Sequence, residues 1–178
     1  MEFHEKIAIF DLDGTLWKEN SHIHIVEEFY GTKRFSCLTM RIFARFFPKI
    51  FLDILNYYYG HIPKEYIENF NIPFRESAKL LFEEYKKRGF LTIIISNAPI
   101  EIVEHAAKRL HTNFLRTDIG QKYMVFSQKY ECQTIMVCTD NKTDLDLLKE
   151  ADIKYIYASE KNKKFFKKYI QNAEFMEV

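Results

Sequence analysis

Strand-forming runs that alternate with helical patterns are the feature that most constrains the fold of this chain. Five such runs span residues 7–10, 91–95, 113–117, 134–138 and 154–157, and helical patterns span residues 75–88, 100–110, 142–151 and 160–170. The runs at 91–95 and 134–138 consist of apolar or β-branched residues, which is typical of strands covered on both faces. This order predicts an α/β fold with a doubly wound, parallel, five-stranded sheet.

Residues 18–74 interrupt the alternation with an insertion that has helical patterns throughout. Separate helices are predicted at residues 21–30, 36–47, 48–59 and 63–71. We expect a catalytic core built from residues 1–17 and 75–178, and a helical cap built from residues 18–74. Because the insertion follows the first strand, we expect the cap to cover the carboxyl edge of the sheet, where such folds place their sites.

Two carboxylates, those of Asp11 and Asp13, directly follow the first predicted strand. At a strand end, side chains two residues apart can face the same way, and neighbouring carboxylates repel each other unless a cation lies between them. Mg²⁺ prefers such hard oxygen ligands. The alternative is an ordinary Asp-Gly turn, since Gly14 comes next.

A second acidic pair, Asp140 and Asp144, follows the fourth predicted strand. A spacing of four places both carboxylates on one face if a helix begins there. The alternative is that Asp140 caps this helix while Asp144 pairs with its dipole. Because parallel strands end at the same edge, either arrangement brings further acidic groups towards Asp11 and Asp13.

Groups suited to a phosphate follow the second predicted strand, at Ser96 and Asn97. A hydroxyl and backbone N–H groups near a helix start can bind phosphate oxygens, and a lysine would balance the phosphoryl charge. Lys129 is the preferred lysine because it is nearer the fourth strand in the chain, and Lys122 is its rival.

Taken in order, these residues resemble the motifs of the haloacid dehalogenase superfamily, on its phosphatase side. The resemblance includes the segment from Asp11 to Thr15, then Ser96, a lysine, Asp140 and Asp144. An acid two residues after the nucleophile marks the phosphatases and phosphomutases of this superfamily, and Asp13 meets that condition. The position of the helical insertion is similar to the first cap type, found in the phosphoserine phosphatase subfamily.

The resemblance implies a mechanism. Asp11 would attack phosphorus and form an aspartyl phosphate, while Asp13 would protonate the leaving oxygen and later deprotonate water. Thr15, Ser96 and the lysine would hold phosphoryl oxygens. Mg²⁺ would be held by Asp11, by the backbone carbonyl of Asp13 and by Asp140, with Asp144 nearby.

Three features depart from the family pattern. Thr139 stands where a glycine is usual before the acidic pair, and residues 118–133 lack the usual long helix. Glu19, together with Arg41 or Arg45, matches the substrate residues of phosphoserine phosphatases only loosely. Arg41 and Arg45 are four apart and could meet an anionic substrate from one helix face; alternatively, their stems cover aromatic surface.

The expected function is hydrolysis of the phosphate ester of a small metabolite. Alternatives are a phosphatase of lipid or membrane-associated phosphates, a phosphotransferase, and a non-catalytic module that binds magnesium or a partner. Residues 35–59 are rich in aromatic side chains, interrupted by Arg41, Arg45, Lys49 and Asp53. This segment is interpreted either as the cap's own small core or as a surface that touches lipid.

Composition limits the remaining possibilities. The net charge of +1 gives no basic field for nucleic acid. The three cysteines are an odd number without metal-site spacing, which favours free thiols in a reducing compartment. The N-terminus lacks a signal-peptide pattern, and no apolar run reaches the roughly 18 residues of a membrane span. We expect a cytoplasmic protein, and the sequence assigns no oligomeric state.

Overall fold

A parallel sheet of six strands is the main element of the structure, a computed structural model that describes residues 1–177. Its strands are β1 (Glu2–Phe10), β2 (Leu91–Ser96), β3 (Asn113–Arg116), β4 (Tyr130–Thr139), β5 (Ile153–Tyr157) and β6 (Ala173–Met176). The predicted α/β class is confirmed, but the predicted count of five strands is wrong. The additional strand, β6, has four residues and pairs with β5 alone at the sheet edge.

The helices lie between these strands and in the insertion. They are α1 (Ser21–Phe29), α2 (Leu38–Phe46), α3 (Pro48–Tyr59), α4 (Lys64–Asn69), α5 (Glu76–Lys87), α6 (Ile100–Leu110), α7 (Lys122–Lys129), α8 (Leu145–Glu150) and α9 (Glu160–Tyr169). One prediction needs correction, because residues 142–151 form a 3₁₀ turn (Lys142–Asp144) followed by α8 rather than a single helix. In addition, residues 118–133 contain α7, a helix of eight residues that was not predicted.

The strand order β3-β2-β1-β4-β5-β6 reverses direction between β1 and β4. Phe10, the last residue of β1, is level with Ile94 of β2 on one side and with Cys138 of β4 on the other. In a doubly wound sheet, ligands bind outside the carboxyl ends of the strands at such a reversal. The fold therefore directs attention to the residues that follow β1, β2 and β4.

Both faces of the sheet are covered, as the continuous apolar runs indicated. On one face, Ile9 and Val137 belong to a buried cluster that includes Leu147 of α8 and Phe166 of α9. On the other face, the ring of Phe10 packs against Phe82 of α5, with centroids 5.0 Å apart. Burial on both faces fixes the ends of β1 and β4, and with them the loops that follow.

The chain forms two compact units. One contains residues 1–18 and the chain from residue 73 onward, and the other contains residues 19–72. The two ends of the insertion meet within the first unit. The Arg75 N–H donates to the carbonyl of Leu16 at 2.7 Å, and the rings of Trp17 and Phe74 stack with centroids 5.8 Å apart.

The helical unit, residues 19–72, is built from α1 to α4. Its buried apolar residues are Ile25, Val26, Phe35, Leu55, Ile62, Ile67, Phe70 and Ile72. Aromatic side chains meet edge to face within this unit, with Phe35 5.5 Å from Tyr58 and Phe29 5.0 Å from Tyr66. Part of the aromatic content therefore packs internally. Within residues 1–177, no helix is both long enough and apolar enough to cross a membrane.

Candidate active site

The loop after β1 is closed by its own backbone. The Asp11 N–H donates to the Cys138 carbonyl at 2.9 Å and extends the pairing of β1 with β4. The carbonyl of Leu12 then accepts from the N–H groups of Thr15 at 3.3 Å and Trp17 at 2.8 Å. Asp11 is buried, whereas Asp13 is partly exposed. The loop thus holds one carboxylate inside and presents the other where it can exchange protons with solvent.

Gly14 lets this loop pass directly against Asp140. Its φ is +78°, and a Cβ at this position would lie 2.2 Å from Oδ2 of Asp140. The neighbouring Thr15 hydroxyl donates to Oδ1 of the same carboxylate at 3.4 Å. A side chain at Gly14 would therefore displace the Asp140 carboxylate from its position against the loop that follows β1.

Lys122 is the lysine that reaches the carboxylates. Its Nζ lies 2.6 Å from Oδ1 of Asp11 and 2.7 Å from Oδ2 of Asp144, and its side chain is only 1% exposed. Lys129, at the other end of α7, is exposed, and its Nζ lies 5.3 Å from the ring centroid of Tyr130. The preference for Lys129 over Lys122 is not supported by this placement. Distance along the chain to β4 was a poor guide because a helix separates the two lysines.

Thr139, the departure from the family's glycine, has a structural role here. Its hydroxyl donates to Oδ2 of Asp144 at 2.7 Å and accepts from the Asn141 N–H at 3.0 Å. Oδ2 of Asp144 thus accepts hydrogen bonds from both Thr139 and Lys122. This arrangement makes Asp144 a support for the lysine.

Of the alternative for the second acidic pair, the capping role of Asp140 does not match the structure. The N-cap of the 3₁₀ turn is Asn141, whose side chain accepts from the Thr143 N–H at 3.1 Å. Asp144 precedes α8 without a side-chain capping hydrogen bond. Asp140 lies before the turn, against the loop of Gly14. Its carboxylate is thus available for binding at the edge of the sheet.

Burial and mutual repulsion disfavour the charged forms of these carboxylates. Burial, together with the charges of Asp144 and Asp140, raises the pKa of Asp11 to about 8, although Lys122 acts in the opposite direction. Burial and the charge of Asp144 raise the pKa of Asp140 to about 6. Burial opposes the charge on Lys122, but Asp11 and Asp144 outweigh it and raise the lysine's pKa. One lysine among three carboxylates leaves net negative charge, which a divalent cation would neutralise.

The donor set fits a hard cation with few protein ligands. Among residues 1–177, no three Asp, Glu, His or Cys side chains are arranged to hold a metal ion. The predicted set does not require three, because it consists of the carboxylates of Asp11 and Asp140 with the backbone carbonyl of Asp13. Mg²⁺ usually keeps several waters and takes only one or two carboxylates. The residues therefore fit magnesium better than a metal that requires a complete protein cage.

Ser96 and Asn97 end the strand next to β1. The Ser96 hydroxyl is buried and accepts from the Ala98 N–H at 3.2 Å. Buried polar atoms normally have partners, yet Nδ2 of Asn97 and Oγ1 of Thr117 have none within residues 1–177. Thr117 is held beside Ser96, since its N–H donates to the Ser96 carbonyl at 3.0 Å. Two unused polar groups at this edge are suited to ligand oxygens, and Thr117 was not predicted.

Arg75 is a further residue that the sequence did not reveal. Its guanidinium donates to the carbonyls of Gly14 at 2.9 Å and Thr15 at 3.1 Å, and it lies 4.4 Å from the ring centroid of Tyr157. The side chain is buried. Arg75 therefore stabilises the loop that follows Asp11 by binding its backbone carbonyls. None of the sequence motifs of the family includes such a residue.

The two arginines predicted to contact substrate, Arg41 and Arg45, lie on α2 in the helical unit. Both are exposed. Their spacing of four places them on one face of the helix, as predicted. Their role in substrate binding stays a prediction.

A family model of the haloacid dehalogenase-like hydrolases matches residues 8–150. The chain belongs to this family. The match begins within β1 and ends with α8, so it includes all the loops that form this hydrolase's candidate site. No curated protein matches the chain significantly.

Solved structures share the fold of this hydrolase. A phosphoserine phosphohydrolase-like protein from Francisella tularensis subsp. tularensis SCHU S4 has a TM-score of 0.67 at 18% identity, covering 94% of this chain and 95% of that one. A protein of unknown function from Bordetella pertussis Tohama I has a TM-score of 0.66 at 11% identity, covering 97% and 98%. A phospho-aspartyl intermediate analogue of phosphoserine phosphatase has a TM-score of 0.61 at 14% identity, covering 94% and 99%. The sequence resemblance to this superfamily is thus confirmed.

Proposed function

We propose that this hydrolase is a magnesium-dependent phosphatase that hydrolyses small phosphate monoesters through an aspartyl phosphate on Asp11. The observation that carries the proposal is the buried contact of Lys122 with both Asp11 and Asp144 at the reversal point of the sheet. A buried charge cluster of this kind at a ligand-binding edge is typical of a catalytic site.

The first chemical step uses the two aspartates of the loop after β1. Lys122 pairs with Oδ1 of Asp11, which leaves Oδ2 to attack phosphorus. An Asp11–phosphorus bond forms, the ester oxygen leaves, and Asp13 gives it a proton. In the second step Asp13 takes a proton from water, the water oxygen attacks phosphorus, and inorganic phosphate leaves Asp11. The partial exposure of Asp13 is suited to these transfers.

The phosphoryl group would be bound by residues from two loops and one helix. These are Thr15 after β1, Ser96 and Asn97 after β2, and Lys122 from α7. Asn97 supports this assignment because its buried Nδ2 lacks a partner within the described chain. Fixed donors around a phosphoryl group stabilise the charge that it develops in the transition state.

Magnesium would be held by Asp11, the carbonyl of Asp13 and Asp140. When bound, it neutralises charge on the phosphoryl oxygens and on the nucleophile. Asp144, which the family resemblance places among the metal-site residues, is instead assigned the support of Lys122. Gly14 keeps Asp140 against the nucleophile loop.

The proposal assigns substrate selection to the helical unit, because the core supplies groups for phosphate and metal but few for a leaving group. A small phosphorylated metabolite is the proposed substrate, in line with the phosphoserine phosphatases that share the fold. A cytoplasmic location is also proposed, supported by three free thiols at Cys37, Cys132 and Cys138.

The test is turnover of p-nitrophenyl phosphate with magnesium, with chelator, and in Asp11→Asn. We expect activity that requires magnesium and falls at least about 10³-fold in the variant, with the fold retained. Intact-protein mass after brief exposure to substrate should detect one phosphoryl group on the wild type only. Activity within about tenfold of the wild type in Asp11→Asn would refute the mechanism. Transfer of the phosphoryl group to added alcohols would indicate a phosphotransferase, and a subsequent screen of phosphate esters would identify the substrate.

A further inference from the structure

α2 of the helical unit exposes large apolar side chains. The helix has no buried residue, and Leu38 and Phe46 are each 71% exposed, with Ile42 at 50%. Because these residues are four apart, they form one continuous stripe along the helix. A helix in a globular protein normally turns such a stripe inward.

Further apolar side chains are exposed at Phe47, which separates the two helices, and in the first half of α3. We call the whole set the α2–α3 patch; it consists of Leu38, Ile42, Phe46, Phe47, Ile50 and Leu52. Single exposed apolar residues are common on protein surfaces, but a large exposed apolar patch is typical of a surface that binds a protein, a membrane or a ligand.

Basic residues outnumber acidic ones around the α2–α3 patch. Asp53, which directly follows Leu52, is exposed and is the only acidic residue among residues 29–59. Residues 29–52 contain no aspartate or glutamate and five basic residues, namely Lys33, Arg34, Arg41, Arg45 and Lys49. All five basic residues are exposed. Long basic side chains can lay their stems along an apolar surface while their charges reach a polar boundary. The patch is therefore complementary to a surface that is apolar inside and negatively charged outside.

We infer that the α2–α3 patch binds the surface of an anionic lipid bilayer. A helix with a stripe of Leu, Ile and Phe among arginines is suited to lie in the interface, with its apolar side chains among the acyl chains and its cations at the headgroups. A second copy of this chain is a poorer occupant, because a symmetric interface would set the five cations against five identical ones. The inference does not depend on the proposed function.

The test is flotation of the full chain with lipid vesicles. We expect the wild type to float with phosphatidylcholine–phosphatidylglycerol vesicles, and to float with phosphatidylcholine alone much less. Binding should weaken as salt rises. The double variant Ile42→Ser/Phe46→Ser should lose roughly tenfold or more of its vesicle partitioning. The charge variant Arg34→Gln/Lys49→Gln should lose binding to anionic vesicles, by about tenfold.

A matched control removes one aliphatic and one aromatic exposed side chain elsewhere, as Leu80→Ser/Tyr169→Ser. We expect this control to float like the wild type, and thermal melting checks that every variant is folded. Failure of the wild type to float, or equal flotation of Ile42→Ser/Phe46→Ser and the wild type, would overturn the inference. The inference would also be overturned if the wild type sediments as a dimer and the Ile42→Ser/Phe46→Ser variant sediments as a monomer. Binding of the wild type to an acidic protein, without binding to vesicles, would likewise overturn it. These measurements do not use activity, so they remain decisive if the proposed function fails.

Discussion

The catalytic edge of the core and the helical unit reverse the usual distribution of residues in opposite ways. In the core, Lys122 and Asp144 are charged but only 1% exposed. In the helical unit, Leu38 and Phe46 are apolar but 71% exposed. Each arrangement costs free energy in the isolated chain. The core therefore buries charged groups in a prearranged cluster, whereas the helical unit exposes apolar groups on its surface.

The largest expected effect comes from removing the buried lysine. Lys122→Met leaves Asp11 and Asp144 without their partner, so we expect a loss of about 3–5 kcal/mol in stability and of about 10²–10³ in kcat/KM. Denaturant unfolding and steady-state kinetics measure the two. The matched control is Lys129→Met. Because this lysine is exposed, the control should change stability by less than about 0.5 kcal/mol and kcat/KM by less than about twofold. Equal losses in the two variants would remove Lys122 from the site.

A smaller effect is expected where the nucleophile loop meets Asp140. Gly14→Ala adds strain of about 1–3 kcal/mol at a positive φ and places a methyl group against the Asp140 carboxylate. The control, Gly89→Ala, has a φ of +82° and no atom within 4 Å of the added Cβ. Both variants should melt earlier than the wild type, but only Gly14→Ala should need more magnesium and lose activity by roughly ten- to a hundredfold. Identical magnesium titrations would contradict the contact.

A still smaller effect is expected from Arg75, whose guanidinium donates to backbone carbonyls of the loop that follows β1. Arg75→Lys keeps the charge but loses the fork that reaches both carbonyls, so we expect kcat to fall about tenfold while KM changes little. Arg88→Lys is the control, because Arg88 also lies over an aromatic ring, that of Tyr85 at 4.6 Å, but is half exposed. A rise in KM with unchanged kcat would instead place Arg75 in substrate binding.

The smallest expected effect separates two roles of the helical unit. Arg41→Ala/Arg45→Ala should raise KM for the natural substrate about threefold and leave turnover of p-nitrophenyl phosphate nearly unchanged. If neither substrate is affected, the arginines do not select substrate, and flotation of the same variant would then show whether they serve only the lipid surface.

Much of the core could be predicted from the sequence because its chemistry requires particular residues at strand ends. Asp11, Asp140 and Asp144 were found in this way, and the structure brings all three to one edge. β6 was missed because it is a four-residue edge strand with no buried side chain. Short edge strands have little sequence signal, since their stability comes from the neighbouring strand rather than from their own pattern.

The remaining omissions concern tertiary contacts. α7 was missed because only Lys122 and Phe126 are buried in its eight residues, which gives a weak apolar period. Without α7, the position of Lys122 could not be inferred. Arg75 is recruited by carbonyl groups of Gly14 and Thr15, about sixty positions earlier in the chain. Every residue type has a backbone carbonyl, so the sequence does not show which carbonyls will bind an arginine side chain.

The hydrogen bond between Arg75 and Leu16 has a consequence for how this chain can change. It brings the two ends of a long insertion side by side, so the core meets the insertion as a closed loop whose length costs little: each doubling of a flexible loop adds only about 0.6 kcal/mol. We expect segments of different size to be tolerated between these two attachment points without displacement of the loop that follows β1, because the attachment points are already held together. Residues 19–72 can therefore be varied or replaced as a single piece.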